Sequence, residues 1–177
     1  MTEEYSIHKL PYKIAVLCYL YDANDRVLLI HRNKEPNKGC YSPIGGKLEA
    51  MVGESPHACA IREIEEEAGV IVEADEIRLF GMLSESAYEG KTHWLLFAFE
   101  VTRLIRPTEI AEMNMNEGVL EWVHINDVVE KNIPATDREI IWNLVKQYRG
   151  GFFAVDIDCS QMPYQWTMKE EWKATSV

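Results

Sequence analysis

Three glutamates with helical spacing are the residues of this sequence whose arrangement suggests chemistry. Glu63, Glu66 and Glu67 stand at positions i, i+3 and i+4, so an α-helix would place them on one face. Like charges on one helix face repel each other, and a bound cation would remove that repulsion. Carboxylate oxygens select Mg²⁺ or Mn²⁺, and Mg²⁺ commonly bridges to substrate phosphates. The spacing therefore indicates a metal site directed at phosphates, with a solvated glutamate-rich surface as the alternative.

The residues around these glutamates predict where the helix begins and ends. Ser55 is a suitable N-cap, Pro56 suits the first helical position, and Gly69 would end the helix. Arg62 would lie beside the carboxylates and could hold one of them through two parallel hydrogen bonds. A glycine pair at 45–46 precedes the helix, and glycine permits unusual dihedral angles or a close approach of the backbone.

The stretch from Glu54 to Val70 resembles the Nudix box, which is the signature of the Nudix hydrolase family. The signature reads G-x5-E-x7-R-E-U-x-E-E-x-G-U, where U is a bulky aliphatic residue, and the chain satisfies it from Glu54 onward. The chain departs from it at the start, because seven residues instead of five separate Gly46 from Glu54. A two-residue loop insertion around 50–52 explains the departure, since loops absorb added length cheaply. Segments outside the box, at 28–34, 116–123 and 152–153, resemble the MutT-type 8-oxo-dGTP diphosphatases.

The resemblance implies roles for the residues of the box. The metal ligands that it implies are Glu63, Glu66, Glu67 and a backbone carbonyl of Gly45 or Gly46. The catalytic residues that it implies are Glu63, Glu66, Glu54 and Arg62. Glu54 would bind a second metal ion or hold the loop through Arg62. Glu63 or Glu66 is the first choice for the general base, and a loop carboxylate, Glu112 or Glu117, is the alternative.

Residues outside the box are candidates for substrate binding. These candidates are Arg32, Tyr41, Ser42, Lys47 and Asp137. Arg32, at the end of a predicted strand, and Lys47, after the glycine pair, would contact phosphates, with a surface salt bridge as the alternative for Arg32. By the match to the MutT pattern, Tyr41–Ser42 would form one wall of the base site and Thr136–Asp137 would face it. Asp137 could equally be a simple helix N-cap.

Hydrophobic patterns place the box among strands and a second helix. Buried or alternating runs predict strands over residues 14–21, 26–31, 77–83, 92–101, 119–124 and 152–157. A helical turn at 127–130 and helical periodicity over 137–148 both lie between the fifth and the sixth of these strands. Mixed strands with two helices predict an α+β fold, which the resemblance narrows to a Nudix-type α/β/α sandwich with a mixed central sheet. The core is expected to contain Trp94, Trp122 and Trp142.

Length, charge and cysteine usage limit the class of protein. A length of 177 residues suits one domain, predicted over 1–158, and the aromatic tail over 159–177 is expected to pack on the domain or on a partner subunit. The net charge of −11 disfavours long nucleic acid as a partner. The cysteines are scattered, the N-terminus does not read as a signal peptide, and the longest apolar run, 14–21, is too short for a membrane span. We therefore expect a cytoplasmic monomer or homodimer.

Taken with the resemblance, these features predict a metal-dependent hydrolase of a nucleoside diphosphate linked to a further group. The favoured activity is a nucleoside triphosphate pyrophosphatase of the 8-oxo-dGTP sanitising type, dependent on Mg²⁺ or Mn²⁺. ADP-ribose, nucleotide sugars and dinucleoside polyphosphates are alternative substrates, and a nucleotide-binding sensor without hydrolysis is an alternative of another class. The intact set Glu63, Glu66 and Glu67 argues against a sensor, and no basic helix-turn-helix is present to make the chain a regulator.

Overall fold

The computed structural model describes residues 9–175. The first eight residues, which belong to the segment where no signal peptide is expected, and the last two residues of the tail lie outside this range. The strands are β1 (Tyr12–Tyr19), β2 (Arg26–Arg32), β3 (Tyr41–Pro43), β4 (Ile77–Tyr88), β5 (Thr92–Val101), β6 (Asn114–Met115), β7 (Gly118–His124), β8 (Phe152–Asp158) and β9 (Gln165–Trp172). The helices are α1 (Pro56–Ala68) and α2 (Trp142–Tyr148), and a π-helical turn (Asp137–Ile141) leads into α2. Short 3₁₀ turns lie at Ala50–Val52, Pro107–Glu109 and Val128–Glu130.

The strands form two sheets. The larger sheet is mixed and has the order β1-β5-β4-β8-β9, in which β1 and β8 run parallel to their neighbours β5 and β4. The smaller sheet is antiparallel and has the order β3-β2-β7-β6. Backbone hydrogen bonds from Val16 and Cys18 to the carbonyls of Gly46 and Ile44 join the segment that follows β3 to β1. This junction brings the glycine pair to the edge of the larger sheet.

Two hydrophobic clusters lie on opposite faces of β1, because successive strand residues point to opposite sides. Ala15 and Tyr19 belong to the cluster that packs against α2, whereas Val16 and Cys18 belong to the cluster that packs against α1. The helices therefore cover different faces of the sheet structure. This arrangement confirms the predicted α+β class with a mixed central sheet.

Helix α1 has the ends that its sequence predicts. The Ser55 hydroxyl accepts a hydrogen bond from the backbone N–H of Ala58 at 3.1 Å, and Pro56 is the first helical residue. Gly69 adopts a left-handed conformation with φ of 68°, and its N–H donates to the carbonyl of Glu65 at 2.9 Å. These local contacts fix the register of the glutamates on the helix.

The inserted residues between the glycine pair and α1 form an outward turn. Ala50–Val52 is a single 3₁₀ turn, and Gly53 closes it with φ of 70° and an N–H that donates to the carbonyl of Ala50. Met51 is 99% exposed and Val52 is 74% exposed. This turn thus projects into solvent, and α1 begins after it with the cap of Ser55.

Two long strands differ from the sequence-based expectations, and the short strands β3 and β6 were not predicted. Strand β4 continues to Tyr88 instead of ending near Leu83, because pairing with both β5 and β8 sustains a stretch of serine and glutamate that has low strand propensity. Strand β9, for which no strand was predicted, pairs antiparallel with β8 and presents mostly exposed side chains. Among residues 9–175, no helix combines the length and the apolar composition that crossing a membrane requires.

Candidate active site

Arg62 connects three of the glutamates of the box. Its Nε and Nη2 donate to the two carboxylate oxygens of Glu54 at 2.8 and 2.9 Å, which is the bidentate geometry expected of a guanidinium and a carboxylate. Its Nη1 donates to Glu63 Oε1 at 2.7 Å and to Glu66 Oε2 at 3.1 Å. One cation therefore contacts three carboxylates, which reduces the repulsion between them.

Glu54 links the loop that precedes α1 to the helix itself. Besides the two bonds from Arg62, Glu54 Oε2 accepts a hydrogen bond from the backbone N–H of Glu49 at 2.8 Å. These donors stabilise the carboxylate form, so the hydrogen bonds from Arg62 first, and that from Glu49 as well, lower the pKa of Glu54 to about 2. Glu54 thus closes the inserted turn at its base.

We expect Glu54 to stabilise the fold in a defined pH range. Because its pKa is lowered on folding, the stabilisation is present above the pKa of the unfolded chain, near 4.5, and is lost as the pH falls toward 2. In metal-free buffer, Glu54→Gln should lower the free energy of unfolding by roughly 2 kcal/mol at pH 6, as for charge-assisted hydrogen bonds. Urea unfolding at pH 6 and pH 3 measures this, and the difference from wild type should shrink at pH 3. The exposed Glu65→Gln is the matched control, and a pH-independent difference would contradict the assignment.

The glycine pair allows the backbone to pass close to the carboxylates. Gly45 has φ of 148° and lies against the carbonyl of Val16, so a side chain at Gly45 would collide with that backbone. Its N–H donates to Glu67 Oε2 at 2.9 Å. A Cβ at Gly46 would overlap the carboxylate of Glu63. Glycine is therefore required at both positions for the loop and the helix to fit together.

The carbonyl of Gly46, one of the predicted metal ligands, is already hydrogen-bonded. It accepts from the backbone N–H of Val16 at 2.9 Å and from the thiol of Cys59 at 3.8 Å. The Gly46 backbone therefore lies beside the Glu63 carboxylate, while its carbonyl is held against β1. This hydrogen bonding to a strand could not be read from the motif alone.

The chemistry of the glutamates fits a divalent cation. Glu63 and Glu67 are buried, and removal from water raises the pKa of both carboxyls, that of Glu67 to about 7. Buried carboxylates gain from a nearby cation because they have lost most of their hydration. In the described part of the chain, no three such groups converge into a ready-made metal centre. One oxygen each of Glu63 and Glu66 accepts a hydrogen bond from Arg62, and one oxygen of Glu67 accepts one from the N–H of Gly45. These oxygen donors suit a divalent cation, and Arg62 supplies the positive charge beside Glu63 and Glu66 in this structure.

A cavity of about 460 Å³ extends from the box toward the helical segment before α2. From the box side it is lined by the glycine pair, Lys47 and Glu63, and from the far side by Glu85, Thr136 and Asp137. The remaining wall includes Arg32, Ser42, Tyr88, Trp94, Leu96 and Glu117. A single cavity thus joins the carboxylate helix to a second set of acidic groups.

The predicted phosphate-binding residues lie at this cavity, but they differ in environment. Arg32 donates to Glu117 Oε2 at 3.2 Å and to the carbonyl of Pro36 at 3.0 Å, so the ion pair predicted as the alternative for Arg32 is present within the cavity wall. Lys47 is exposed at the mouth. Of the two loop carboxylates, Glu117 lines the cavity and Glu112 does not.

Tyr41 and Ser42 separate because they are consecutive residues of a strand and point to opposite faces. Ser42 lines the cavity, and its buried hydroxyl oxygen has no hydrogen-bond partner among the described residues. Tyr41 lies outside the lining of this cavity: its ring stacks on His31 at 4.6 Å, and its hydroxyl donates to Glu121 at 2.7 Å. The expected wall therefore consists of Ser42 without Tyr41.

Asp137 lies in the first turn of the π-helical segment and not at its N-cap, which is Thr136 and makes no side-chain cap. Asp137 lines the cavity together with Thr136, so the structure places it facing the site. Of the three tryptophans, Trp142 is buried, whereas Trp94 is half-buried in the cavity wall and Trp122 packs beside the α1 cluster. Of the three tryptophans that were expected in the core, Trp142 is therefore the one that is fully buried.

Glu85 is a residue of the cavity that the sequence analysis missed. It is buried on the inward face of β4 between Leu83 and Ala87, in a strand extension that was not predicted. The sequence did contain a signal for this position: residues 83, 85 and 87 share one face of a strand, so Glu85 points inward together with Leu83 and Ala87. A charged residue type at such a position indicates a site and not a core.

Comparison with known proteins agrees with this geometry. The family profile described as NUDIX domain matches residues 11–144. The chain belongs to the Nudix hydrolase family. Members of this family generally use divalent metal ions, in agreement with the oxygen donors on α1. The match covers the box, the strands from β1 to β7, and all of the cavity-lining residues.

The relatives of this Nudix protein include an ADP-ribose pyrophosphatase and a MutT protein. An ADP-ribose pyrophosphatase of Methanocaldococcus jannaschii is 31% identical over 80 residues, which is 45% of each protein, so the chain spans about half the length of this curated relative. Among solved structures, a mutator MutT protein of Bacillus halodurans has 27% identity and a TM-score of 0.67, covering 87% of this chain and 97% of that one. The NUDIX domain of Shewanella oneidensis NrtR, solved with ADP-ribose, has 16% identity and a TM-score of 0.59 over 82% of this chain and 97% of that one, and shares the fold.

Proposed function

We propose that this Nudix hydrolase is a nucleoside triphosphate pyrophosphatase of the 8-oxo-dGTP sanitising type. The observation that carries the proposal is the single cavity that joins Glu63 of the box to the recess formed by Glu85, Thr136 and Asp137. Such a cavity can hold the phosphates of a nucleotide at one end and its base at the other. The similarity to the mutator MutT protein of Bacillus halodurans, which extends over most of both chains, supports an activity of the MutT type.

We assign the metal-binding role to Glu63, Glu66 and Glu67, with a backbone carbonyl of the glycine pair at 45–46. When bound, Mg²⁺ or Mn²⁺ supplies positive charge that offsets the polyphosphate and lowers the pKa of a water molecule. Arg62 keeps Glu63 and Glu66 side by side through its shared Nη1 donor. The box therefore holds these two carboxylates next to each other, with Glu63 at the cavity.

In the proposed reaction, a water oxygen forms a bond to phosphorus while the anhydride P–O bond breaks and pyrophosphate leaves. Glu63 is our first candidate for the base that accepts the water proton, because it lines the cavity and its raised pKa makes it a better proton acceptor. Glu66 is the second candidate. Arg32 and Lys47 lie at the cavity and are our candidates for binding phosphate oxygens, since both are cations. Arg32 would then exchange Glu117 for the substrate.

ADP-ribose hydrolysis is the second candidate function, because a stretch of 80 residues is 31% identical to an ADP-ribose pyrophosphatase. We expect 8-oxo-dGTP to be hydrolysed with a kcat/KM at least tenfold above those for dGTP and ADP-ribose, since one well-placed hydrogen bond gives about that discrimination. A panel of the three substrates with Mg²⁺ and with Mn²⁺, with products separated by chromatography, measures this. Equal turnover of dGTP, or a preference for ADP-ribose, would contradict the sanitising function.

We further propose that the protein acts on small nucleotides in the cytoplasm, as a monomer or homodimer of one Nudix domain. All four cysteines are free thiols, in keeping with a reducing compartment, and the charge of −11 disfavours long nucleic acids. The segment 159–177 would then serve the domain by adding β9 to the larger sheet.

A further inference from the structure

Glu85 occupies a position where a carboxyl group is costly. Glu85 is 3% exposed and lies opposite Trp94 in the pairing of β4 with β5. It also contributes to the lining of the cavity. The oxygen Oε1 is buried and has no hydrogen-bond partner among the described residues. A buried polar atom without a partner destabilises a fold by roughly 1–3 kcal/mol. A ligand that enters the cavity and bonds to Oε1 would remove this cost.

The groups around Glu85 determine which kind of hydrogen bond Oε1 offers. Burial raises the pKa of Glu85 to about 8, the nearby carboxylate of Asp137 adds to the increase, and a hydrogen bond with the Thr136 hydroxyl opposes it. Burial also raises the pKa of Asp137, to about 7. Two acids in one recess do not both ionise readily. Glu85 is buried whereas Asp137 is half-buried, so Glu85 is the acid that keeps its proton near neutral pH and Asp137 is the one that ionises.

The other ionisable groups close to Glu85 leave this order unchanged. Burial raises the pKa values of the Tyr88 and Tyr164 phenols, and it raises that of the Cys159 thiol to about 12. All three groups are therefore neutral near pH 7. The hydrogen bond with the Thr136 hydroxyl leaves Oε1 without a partner among the described residues. Near neutral pH the recess then presents one donor, Oε1–H of Glu85, beside one acceptor, the Asp137 carboxylate.

We propose that Glu85 is a specificity-determining residue whose Oε1 donates a hydrogen bond to a ring carbonyl of the nucleobase, while Asp137 accepts one from the adjacent ring N–H. This inference rests on the proposed nucleotide hydrolysis, and it names the substrate class as nucleotides of oxopurines. An oxopurine presents a carbonyl next to an N–H, which matches a donor next to an acceptor. The half-buried rings of Trp94 and Tyr88 line the same recess and offer apolar surface to the base.

The test compares two substitutions that differ in hydrogen bonding. Glu85→Gln keeps a donor and an acceptor, whereas Glu85→Leu removes both at similar volume. The substrates are dGTP, which has the carbonyl and the N–H, and the triphosphate of unsubstituted purine deoxyriboside, which has neither. We expect Glu85→Leu to lower kcat/KM for dGTP roughly 10- to 100-fold and that for the purine analogue less than threefold. Glu85→Gln should stay within about threefold of wild type for both substrates.

A pH series adds a readout that a structural role would not produce. In wild type, the ratio of kcat/KM for dGTP to that for the purine analogue should fall between pH 7 and 8.5, because Glu85 loses its proton near pH 8. In Glu85→Gln the ratio should not fall. The matched control is Glu89→Gln, an exposed carboxyl just after β4, which should behave as wild type.

Several outcomes would overturn the role of Glu85. These are equal losses for both substrates in Glu85→Leu, no loss at all, or a loss in Glu85→Gln as large as that in Glu85→Leu. Melting temperatures of the variants identify a folding defect, and calorimetric binding of dGMP and purine deoxyriboside monophosphate without metal tests recognition apart from hydrolysis. If wild type binds dGMP selectively through Glu85 but hydrolyses no triphosphate, the proposed function fails and the recognition role stands.

Discussion

Replacing Glu66 with glutamine is expected to lower kcat for the preferred nucleotide by roughly 100-fold or more, because metal-ion catalysis contributes several kcal/mol and each 1.4 kcal/mol is a factor of ten. Glutamine has the shape of glutamate but lacks its charge, so it binds a divalent cation weakly. The side chain of Glu66 is 59% exposed and contacts Arg62 at the outer side of the cluster, so the fold should tolerate the change. Steady-state hydrolysis at saturating Mg²⁺, together with the melting temperature, measures both effects.

Glu65→Gln provides the matched comparison for this prediction. Glu65 is exposed, follows Glu63 and Ile64 on the same helix, and loses the same charge on substitution. We expect its kcat to stay within about twofold of wild type, as for surface positions away from a site. Full activity in Glu66→Gln, or equal losses in the two variants, would refute the assignment of Glu66 as a metal ligand.

Replacing Arg62 with alanine is expected to destabilise the protein and to inactivate it. The side chains of Glu54 and Glu63 are 10% and 11% exposed, and both depend on Arg62 for a counter-charge. Removing one partner of such an ion pair leaves a poorly hydrated carboxylate, so the free energy of unfolding in metal-free buffer should fall by about 3 kcal/mol. Arg62→Lys retains the charge but not the two-pronged contact with Glu54, so it should cost about half as much.

The response to metal distinguishes this explanation from a simple loss of packing. If uncompensated carboxylates cause the instability, Mg²⁺ should raise the melting temperature of Arg62→Ala by more than that of wild type. Arg106→Ala is the matched control, because Arg106 is 82% exposed and pairs with Glu109 at the surface, where ion pairs contribute less than about 1 kcal/mol. An Arg62→Ala protein as stable as wild type at pH 7 would contradict the central role of this side chain.

The helix that carries the glutamates could be predicted from sequence because its determinants are local. Ser55, Pro56 and Gly69 act through the backbone within one turn of the helix ends, so their effect does not depend on the rest of the fold. The side-by-side placement of Glu63, Glu66 and Glu67 then follows from helix geometry alone. The resemblance to the Nudix family indicated the same three residues and also predicted the type of fold.

The far end of the cavity could not be predicted in the same way because its residues meet through long-range pairing. The inward position of Glu85 depends on β4 continuing to Tyr88, which depends on pairing with β5 and with β8, about 70 residues away in sequence. Tyr41 faces away from Ser42 because of the register of a three-residue strand, and no local pattern defines so short an element. Strand β9 lacks an alternating apolar pattern, because most of its side chains are exposed.

The turn at Ala50–Val52 separates a part of the molecule that can vary in length from a part that cannot. After the turn, the contacts of Glu54 with Arg62 and with the N–H of Glu49 hold the start of α1 in place. Before the turn, the hydrogen bond between the Gly46 carbonyl and the Val16 N–H holds the loop on β1. Additions to this turn, natural or engineered, should therefore leave the position of α1 unchanged. A search pattern that fixes the spacing between Gly46 and Glu54 will overlook proteins that differ only in the length of this turn.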